Sequence, residues 1–327
     1  MRLTSDVLKL DLEKTADELA GRLRDVVVDT LKRRGMVVGL SGGIDSSVTA
    51  GLAVRAFGKE RVVGLLMPET DSADDTLGLS KSVADALGIE TVHEDITPIL
   101  KAARCYQRRD EAIRKVVPAF GPGWKSKIVL PDVLQSSALR FYSVVVQDPS
   151  GKTEKVRMTT EAYLGVVAAT NFKQRTRTML EYYHADRLNY AVGGTPNRLE
   201  YDQGFFVKGG DGLADVKPIA HLYKTQVYAL AEVVGVPAAV RARRPTTDTY
   251  SLPQSQDEFY FSLPYERMDL ALWAKNNGVS PADAAAGLEL ATAQVERVYA
   301  DIDQKRRTTR PLHLHALLLA PVPEVTL

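Results

Sequence analysis

Residues 41–47 read Ser-Gly-Gly-Ile-Asp-Ser-Ser and have the residue types of a phosphate-binding loop. They follow an apolar run at residues 36–40, which predicts a buried strand, and precede residues 48–56, which predict a helix. Small residues at such a junction leave backbone N–H groups free at the positive end of the helix dipole, where they can hold phosphate. Asp45 lies where it could hold a divalent cation against the bound phosphates.

This loop is not a Walker motif, because the chain has no Gly-x-x-x-x-Gly-Lys-Ser/Thr sequence. Ser-Gly-Gly-x-Asp-Ser instead resembles the pyrophosphate loop of enzymes that cleave ATP between its α and β phosphates. A structural Gly-Gly turn would match two of these residues but not all six. The loop therefore predicts ATP chemistry at the α phosphate.

Strand and helix patterns alternate around the loop, which predicts a parallel sheet with right-handed crossovers. Nucleotides bind such sheets outside the carboxyl ends of the strands, where the loop after residue 40 must lie. The fold class is therefore α/β, with a Rossmann-like parallel sheet and helices on both faces. The predicted strands are residues 36–40, 62–67, 91–96 and 189–192, and the main helices are 48–56, 74–87, 160–186 and 222–234.

Residues 105–160 interrupt this alternation. Two β-rich runs, 139–147 and 154–159, flank the sequence Asp-Pro-Ser-Gly, which predicts a hairpin turn. We interpret the segment as an insertion. Its role remains open among a surface protrusion without function, a lid and a subunit contact. The C-terminal region, residues 251–327, predicts helices at 269–276, 281–288 and 291–303 and a basic stretch from residue 305 to 310.

The bulk composition limits the classes of function. The chain has 327 residues, 45% of them hydrophobic and 25% charged, and this length allows a full core in one large domain. Its net charge of +1 does not favour binding to nucleic acid, and no apolar run reaches membrane-spanning length. The single cysteine, Cys105, fits a reducing compartment. We expect a cytoplasmic protein.

A second set of motifs lies between residues 194 and 230. Residues 194–200 read Gly-Thr-Pro-Asn-Arg-Leu-Glu, and residues 204–215 read Gly-Phe-Phe-Val-Lys-Gly-Gly-Asp-Gly-Leu-Ala-Asp. This is a glycine-rich loop with acids and a lysine between a strand and a helix, which is a usual place for a binding site. A solvated loop would explain the charges, but not so many glycines beside two phenylalanines.

Together, the two sets of motifs resemble the NAD synthase family, whose members are N-type ATP pyrophosphatases that form an amide. The resemblance covers residues 10–100 and 160–310. It implies an adenine nucleotide alpha hydrolase-like fold in a single NAD synthase-like domain, residues 1–327. It also implies that ammonia and ATP convert nicotinic acid adenine dinucleotide to NAD, through an adenylated carboxylate, with release of AMP and pyrophosphate.

The resemblance assigns roles to individual residues. Asp45 and Glu200 become ligands of Mg²⁺, and Asp45, Lys224 and Thr246 become the catalytic residues. The ATP contacts are Gly39, Ser41, Gly42, Gly43, Asp45, Ser46, Ser47, Met67, Thr195, Lys224 and Thr246. The dinucleotide contacts are Arg175, Lys208, Asp215, Gln304 and Lys305. The chain departs from the family pattern at Pro196, usually a small or acidic residue, and at Gln304, frequently histidine.

Glutamine-dependent relatives carry an N-terminal amidohydrolase domain with a catalytic cysteine. Only about 35 residues precede the loop here, which is short of a domain, and Cys105 lies outside any nucleophile motif. We therefore expect no glutaminase domain, and ammonia that is free or delivered by a separate glutaminase. The resemblance also implies a homodimer.

Two alternatives remain open from the sequence. A ligase of the same type could amidate another carboxylate, or the chain could be a nucleotide sensor without turnover. The sensor is disfavoured because Asp45, Glu200, Lys208 and Lys224 are all present. The five histidines lack zinc-ligand spacing, and His-Leu-His at 313–315 would share one face only if it formed a strand.

Overall fold

A four-stranded parallel sheet forms the centre of the molecule. The computed structural model describes residues 3–72, 75–130, 142–243, 250–254, 260–261 and 263–325. The strand order is β3-β2-β1-β7, and all three pairings are parallel. The strands are β1 (Met36–Gly39), β2 (Val62–Leu66), β3 (Glu90–His93) and β7 (Ala191–Val192). Each strand boundary lies within three residues of the one predicted, and the predicted fold class is confirmed.

Alternating side chains of β1 and β2 face two separate cores. Val38 and Val62 pack with α1 (Leu12–Arg24), α2 (Ile44–Phe57), α3 (Thr76–Leu87) and α8 (Lys224–Val233). Val37 and Val63 pack on the other side with α4 (Thr97–Ala102), α5 (Cys105–Arg114) and α6 (Thr160–Leu188). Strands buried on both faces are expected in a parallel sheet that helices cover twice. A π-helical turn, Asp25–Thr30, extends α1.

The segment predicted as an insertion contains a second, antiparallel sheet. Its strands are β4 (Lys125–Val129), β5 (Ser143–Gln147) and β6 (Thr153–Arg157), in the order β4-β5-β6. The predicted hairpin turn at residues 148–151 is confirmed, with Asp148 N–H donating to the Lys152 carbonyl at 3.0 Å. The sequence did not predict β4, α4 or α5. The sheet buries Val144 and Val146 against α5 and α6.

The C-terminal helices have a core of their own. They are α10 (Tyr265–Asn276), α11 (Pro281–Leu288) and α12 (Thr292–His313), and they follow the short helices α7 (Arg198–Gln203) and α9 (Ala238–Arg241). The helix α12 runs ten residues beyond the predicted end at residue 303, so the basic stretch is helical. Residues 313–315 do not form a strand, because His313 is the last residue of α12.

Within the described residues, no helix combines the length and apolar character needed to cross a membrane.

Candidate active site

The loop between β1 and α2 is held open by its own hydroxyl groups. Gly42 has a φ of +69°, which a residue with a side chain rarely adopts. Ser46 Oγ and Ser47 Oγ donate to the Gly43 carbonyl at 3.1 and 2.8 Å, and Ser41 Oγ lies 3.1 Å from Ser46 Oγ. These bonds fix the turn that leads into the first turn of α2. The N-terminal backbone of a 14-residue helix therefore faces the end of β1, as a phosphate site requires.

Asp45 is surrounded by residues from two other elements. Its carboxylate forms an ion pair with Lys224, the first residue of α8, whose side chain is 1% exposed. Its second oxygen accepts a hydrogen bond from Asn197 Nδ2 at 3.1 Å. Asn197 also caps α7, and Glu200 completes this capping box by accepting from the Asn197 N–H at 3.0 Å. The α7 cap thus places Glu200 beside Asp45.

Burial and mutual repulsion set the ionisation of this cluster. Burial raises the pKa of Glu200 well above its ordinary value, and the negative charge of Asp45 raises it further. Burial would lower the pKa of Lys224, but the charges of Asp45 and Glu200 outweigh burial and raise it. When all three groups are ionised, two carboxylates face one ammonium. Two carboxylates beside a phosphate-binding loop fit a Mg²⁺ ion, which uses few protein ligands together with phosphate oxygens.

A cleft of about 410 Å³ opens at the carboxyl ends of the strands, directly above this cluster. Most of the residues predicted to bind ATP and metal line it. They are Gly39, Ser41, Gly42, Gly43, Asp45, Ser46, Met67, Thr195, Glu200 and Lys224. Ser47 does not line the cleft, because it is fully buried beneath the loop. The predicted contact Thr246 lies outside the described residues.

The residues predicted to bind the dinucleotide lie away from this cleft. Arg175, on the exposed side of α6, donates from Nε and Nη2 to the Lys208 carbonyl at 3.3 and 3.2 Å. Lys208 Nζ in turn donates to the carbonyls of Pro311 and Leu314 at 2.8 and 2.9 Å. Arg175 and Lys208 are therefore brought together, on a surface adjoining the cleft rather than inside it.

The other three predicted contacts do not line the cleft either. Asp215 accepts from the Val192 N–H at 2.8 Å and supports β7. Lys305 is buried, and its Nζ donates to the Tyr260 carbonyl at 2.6 Å and to Asp301 at 2.9 Å. Gln304 is exposed on α12. In this structure, Asp215 and Lys305 are thus engaged by the protein itself.

A family model described as NAD synthase matches residues 16–118 and 136–310. The chain belongs to the NAD synthase family. It is 58% identical over 322 residues to the NH(3)-dependent NAD(+) synthetase of Rhizobium meliloti (strain 1021), covering 98% of this chain and 96% of that relative. It is 36% identical over 260 residues to the NH(3)-dependent NAD(+) synthetase of Thermotoga maritima, covering 78% and 86%. The family predicted from the motifs is thus confirmed.

Solved structures share the fold. The NH3-dependent NAD synthetase from Campylobacter jejuni superposes with a TM-score of 0.61 at 22% identity, covering 95% of this chain and 100% of that chain. The NMN synthetase from Francisella tularensis superposes with a TM-score of 0.64 at 22% identity, covering 96% and 100%. These likenesses agree with the α/β architecture of an NAD synthase.

This NAD synthase cleft also contains residues that the motifs did not indicate. Glu181 and Arg177 reach it from the C-terminal half of α6, Asp211 from the glycine-rich loop, and Tyr142 from the position just before β5. Glu181 packs against Gly39 so closely that a Cβ at residue 39 would collide with its carboxylate. In the sequence, Glu181 reads as an ordinary charge on a helix, since nothing local shows that it faces a cleft.

The ionisation of Glu181 predicts a pH-dependent stability. Burial, and then the charge of Asp211, raise its pKa from 4.5 to about 7, although Arg177 opposes them. A carboxyl group with a raised pKa in the folded state stabilises the fold at low pH, and this contribution is lost as pH rises from about 4.5 to about 7. Glu181→Gln should therefore increase the free energy of unfolding at pH 8 by on the order of 1–3 kcal/mol, and change it little at pH 5.

Urea denaturation of the wild type and Glu181→Gln at pH 5 and pH 8 measures this difference. The exposed Glu18→Gln substitution is the matched control, and it should change stability equally little at both values of pH. An equal effect of Glu181→Gln at the two pH values would contradict the prediction.

Proposed function

We propose that the chain catalyses the amidation of nicotinic acid adenine dinucleotide to NAD, with ammonia as the nitrogen donor and ATP as the co-substrate. The observation that carries the proposal is the cluster of Asp45, Glu200 and Lys224 beneath the pyrophosphate loop, at the floor of the cleft of an NAD synthase fold. ATP first adenylates the carboxylate and releases pyrophosphate. Ammonia then displaces AMP and forms the amide.

The cleft floor fits the demands of the first step. Negative charge accumulates on the β phosphate as it leaves, so donors that already face it lower the barrier. The backbone of the loop and the Lys224 ammonium are such donors. The charges of Asp45 and Glu200 raise the pKa of Lys224, which keeps it protonated, and Lys224 lines the cleft where the phosphates would lie. When Mg²⁺ is bound, Asp45 and Glu200 would hold it, and its charge would neutralise phosphate oxygens.

The second step needs no side-chain nucleophile, because ammonia itself attacks the acyl adenylate. Cys105 is poorly suited to act as a nucleophile. Its thiol is buried, burial raises its pKa, and Sγ donates a hydrogen bond to the Ala169 carbonyl at 3.3 Å. The protein therefore contributes positioning and exclusion of water. Free ammonia, or ammonia from a separate glutaminase, would supply the nitrogen.

Coupled assays of pyrophosphate release and NAD formation test the proposal. Purified protein receives Mg-ATP and ammonium, with nicotinic acid adenine dinucleotide, with nicotinic acid mononucleotide, or with neither. We expect release that requires the dinucleotide and equals the NAD formed. Release with the mononucleotide alone would indicate amidation of another carboxylate, and ATP binding without any release would indicate a nucleotide sensor. Glutamine in place of ammonium should yield no NAD. Formation of NAD from glutamine by the purified protein would contradict the proposal that ammonia is the nitrogen donor.

We also propose a homodimer formed through α6. Leu164, Met179 and Tyr183 are 57%, 55% and 60% exposed, and they lie on the same side of this long helix as Arg175. Monomeric proteins rarely leave such an apolar stripe uncovered. A second copy packed here would bring Arg175 and Lys208 to the interface. Sedimentation velocity tests the assembly, and a monomer at micromolar concentration would contradict it.

We place the enzyme in the cytoplasm, where ATP is abundant and a single free cysteine stays reduced. Cell fractionation tests this, and recovery from an extracytoplasmic fraction would contradict it.

Arg175→Ala should weaken binding of the dinucleotide without weakening binding of ATP. The exposed guanidinium of Arg175 donates to the Lys208 carbonyl through Nε and Nη2, and its Nη1 can still donate to a dinucleotide phosphate, whereas the predicted ATP contacts line the cleft. Loss of one charge-assisted contact of about 1.5–3 kcal/mol predicts a rise in KM for the dinucleotide of about 10- to 100-fold. Steady-state kinetics with each substrate varied in turn measures the effect. Arg104→Ala, an exposed arginine on another surface, is the control, and an equal rise in both KM values for Arg175→Ala would contradict the assignment.

A further inference from the structure

The end of α12 is fastened to the loop that forms one wall of the cleft. Residues 204–207 line the cleft, and Lys208 follows them directly. Lys208 Nζ donates to the carbonyls of Pro311 and Leu314 at 2.8 and 2.9 Å. These carbonyls lie at the C-terminal end of a 22-residue helix, where the helix dipole favours a positive charge. The lysine thus joins the cleft wall to the end of the helix.

An aromatic cluster makes a second connection between the same segments. The ring of His313 lies edge-on to Tyr201, with centroids 4.9 Å apart and planes at 79°, and edge-on to Phe206 at 5.0 Å and 82°. Burial lowers the pKa of His313, so the imidazole is neutral near pH 7 and suits this aromatic packing. Phe206 lines the cleft. The position of a cleft residue therefore depends on His313.

Close backbone packing makes a third connection. Gly204 has a φ of +73°, and a Cβ at this position would collide with Thr309 of α12. Gly209 also has a positive φ, of +71°. Glycines at both ends of this wall segment allow tight turns, because glycine adopts a positive φ without steric cost. The contacts with α12 add to bonds within the loop, such as the hydrogen bond that the Val207 N–H donates to Asp211 Oδ1 at 2.7 Å.

The part of α12 that makes the first two connections lies beyond the family match, which ends at residue 310. We name residues 311–314 the C-terminal strap. We propose that the C-terminal strap positions the cleft wall at residues 204–208 for binding of the dinucleotide. The proposal rests on the proposed function, and it makes His313 a positioning residue. An ammonium has three donors, so Lys208 can hold both carbonyls and still offer one hydrogen to a phosphate.

Two truncations of the full chain separate the strap from the tail that follows it. One variant ends at Arg310 and lacks the strap, and the matched control ends at His315 and keeps it. Loss of the aromatic contacts and of the lysine contacts predicts that the shorter variant raises KM for the dinucleotide about tenfold. We expect KM for ATP and kcat to stay within about twofold. The variant ending at His315 should match the wild type in all three constants.

Two point variants test the strap without truncation. His313→Ala should raise KM for the dinucleotide about three- to tenfold, in line with the loss of one aromatic contact. His313→Phe keeps a ring between Tyr201 and Phe206 and should restore most of the affinity. A loss of structure alone would lower kcat and raise both KM values in each variant.

The strap proposal is overturned if the variant ending at Arg310 and His313→Ala both keep the wild-type KM for the dinucleotide. It is also overturned if His313→Phe is as impaired as His313→Ala. Failure of the proposed function would look different, because the wild type itself would then form no NAD under the same conditions.

Discussion

Asp45→Asn is expected to lower the rate of pyrophosphate release by about 10³-fold, which is the upper end of what one missing electrostatic contact costs. The loss has two physical sources. The variant removes one of the two carboxylates that would hold Mg²⁺, and it breaks the ion pair between Asp45 and Lys224. The amide of asparagine is a weak replacement as a metal ligand and as a partner of Lys224, because it carries no net charge.

The fold should survive this substitution. Asparagine has the shape of aspartate, and its oxygen can still accept a hydrogen bond from Asn197 Nδ2. Glu200 remains as a counter-charge for Lys224. The measurement is pyrophosphate release at saturating substrates together with a thermal melt. Asp17→Asn, which removes a carboxylate 69% exposed on α1, is the control and should retain full activity. Near-normal release by Asp45→Asn would exclude Asp45 from the metal site.

The position of the loop at residues 41–47 was predictable because its residues are adjacent in the chain and its backbone geometry is local. A buried strand, two glycines and a helix start place residues 41–47 at the sheet edge in any parallel α/β fold. Glu200 and Lys224 needed the family resemblance, since each alone resembles a solvated charge. The structure explains their positions by local caps, with the Asn197 capping box holding Glu200 and the start of α8 holding Lys224.

The remainder of the cleft depends on tertiary packing that no short pattern encodes. Glu181 faces the cleft only because α6 packs on the sheet with this carboxylate against Gly39, at the end of β1, and the sequence of a 29-residue helix does not mark which face does so. Tyr142 lies just before β5 of the inserted sheet, and its ring stacks on Tyr163 with the centroids 3.8 Å apart. The end of α12 was predicted ten residues early, because Pro311 and the run of charges before it resemble a helix end.

Lys224→Met is expected to destabilise the metal-free protein by about 3–5 kcal/mol, and Mg²⁺ is expected to recover most of that loss. The lysine is 1% exposed, and its removal leaves Asp45 and Glu200 facing each other without a cation. Breaking a buried ion pair in this way costs more than the pair contributes, because a desolvated charge remains. A divalent cation bound by both carboxylates would replace the missing charge. Activity should also fall about 10²–10³-fold, since Mg²⁺ cannot supply the ammonium donor to the phosphates.

A second buried lysine offers a matched control within the same chain. Lys173 is also 1% exposed and pairs with Glu69 at 2.8 Å and Asp71 at 2.7 Å, but Arg109 lies 2.6 Å from Asp71 and already supplies a second cation. Lys173→Met should therefore lose stability that Mg²⁺ does not restore. Urea denaturation of both variants with and without millimolar Mg²⁺ separates the two cases. Equal recovery of both, or of neither, would mean that Asp45 and Glu200 do not form a divalent-cation site. Selective recovery of Lys224→Met would locate that site without any reliance on turnover.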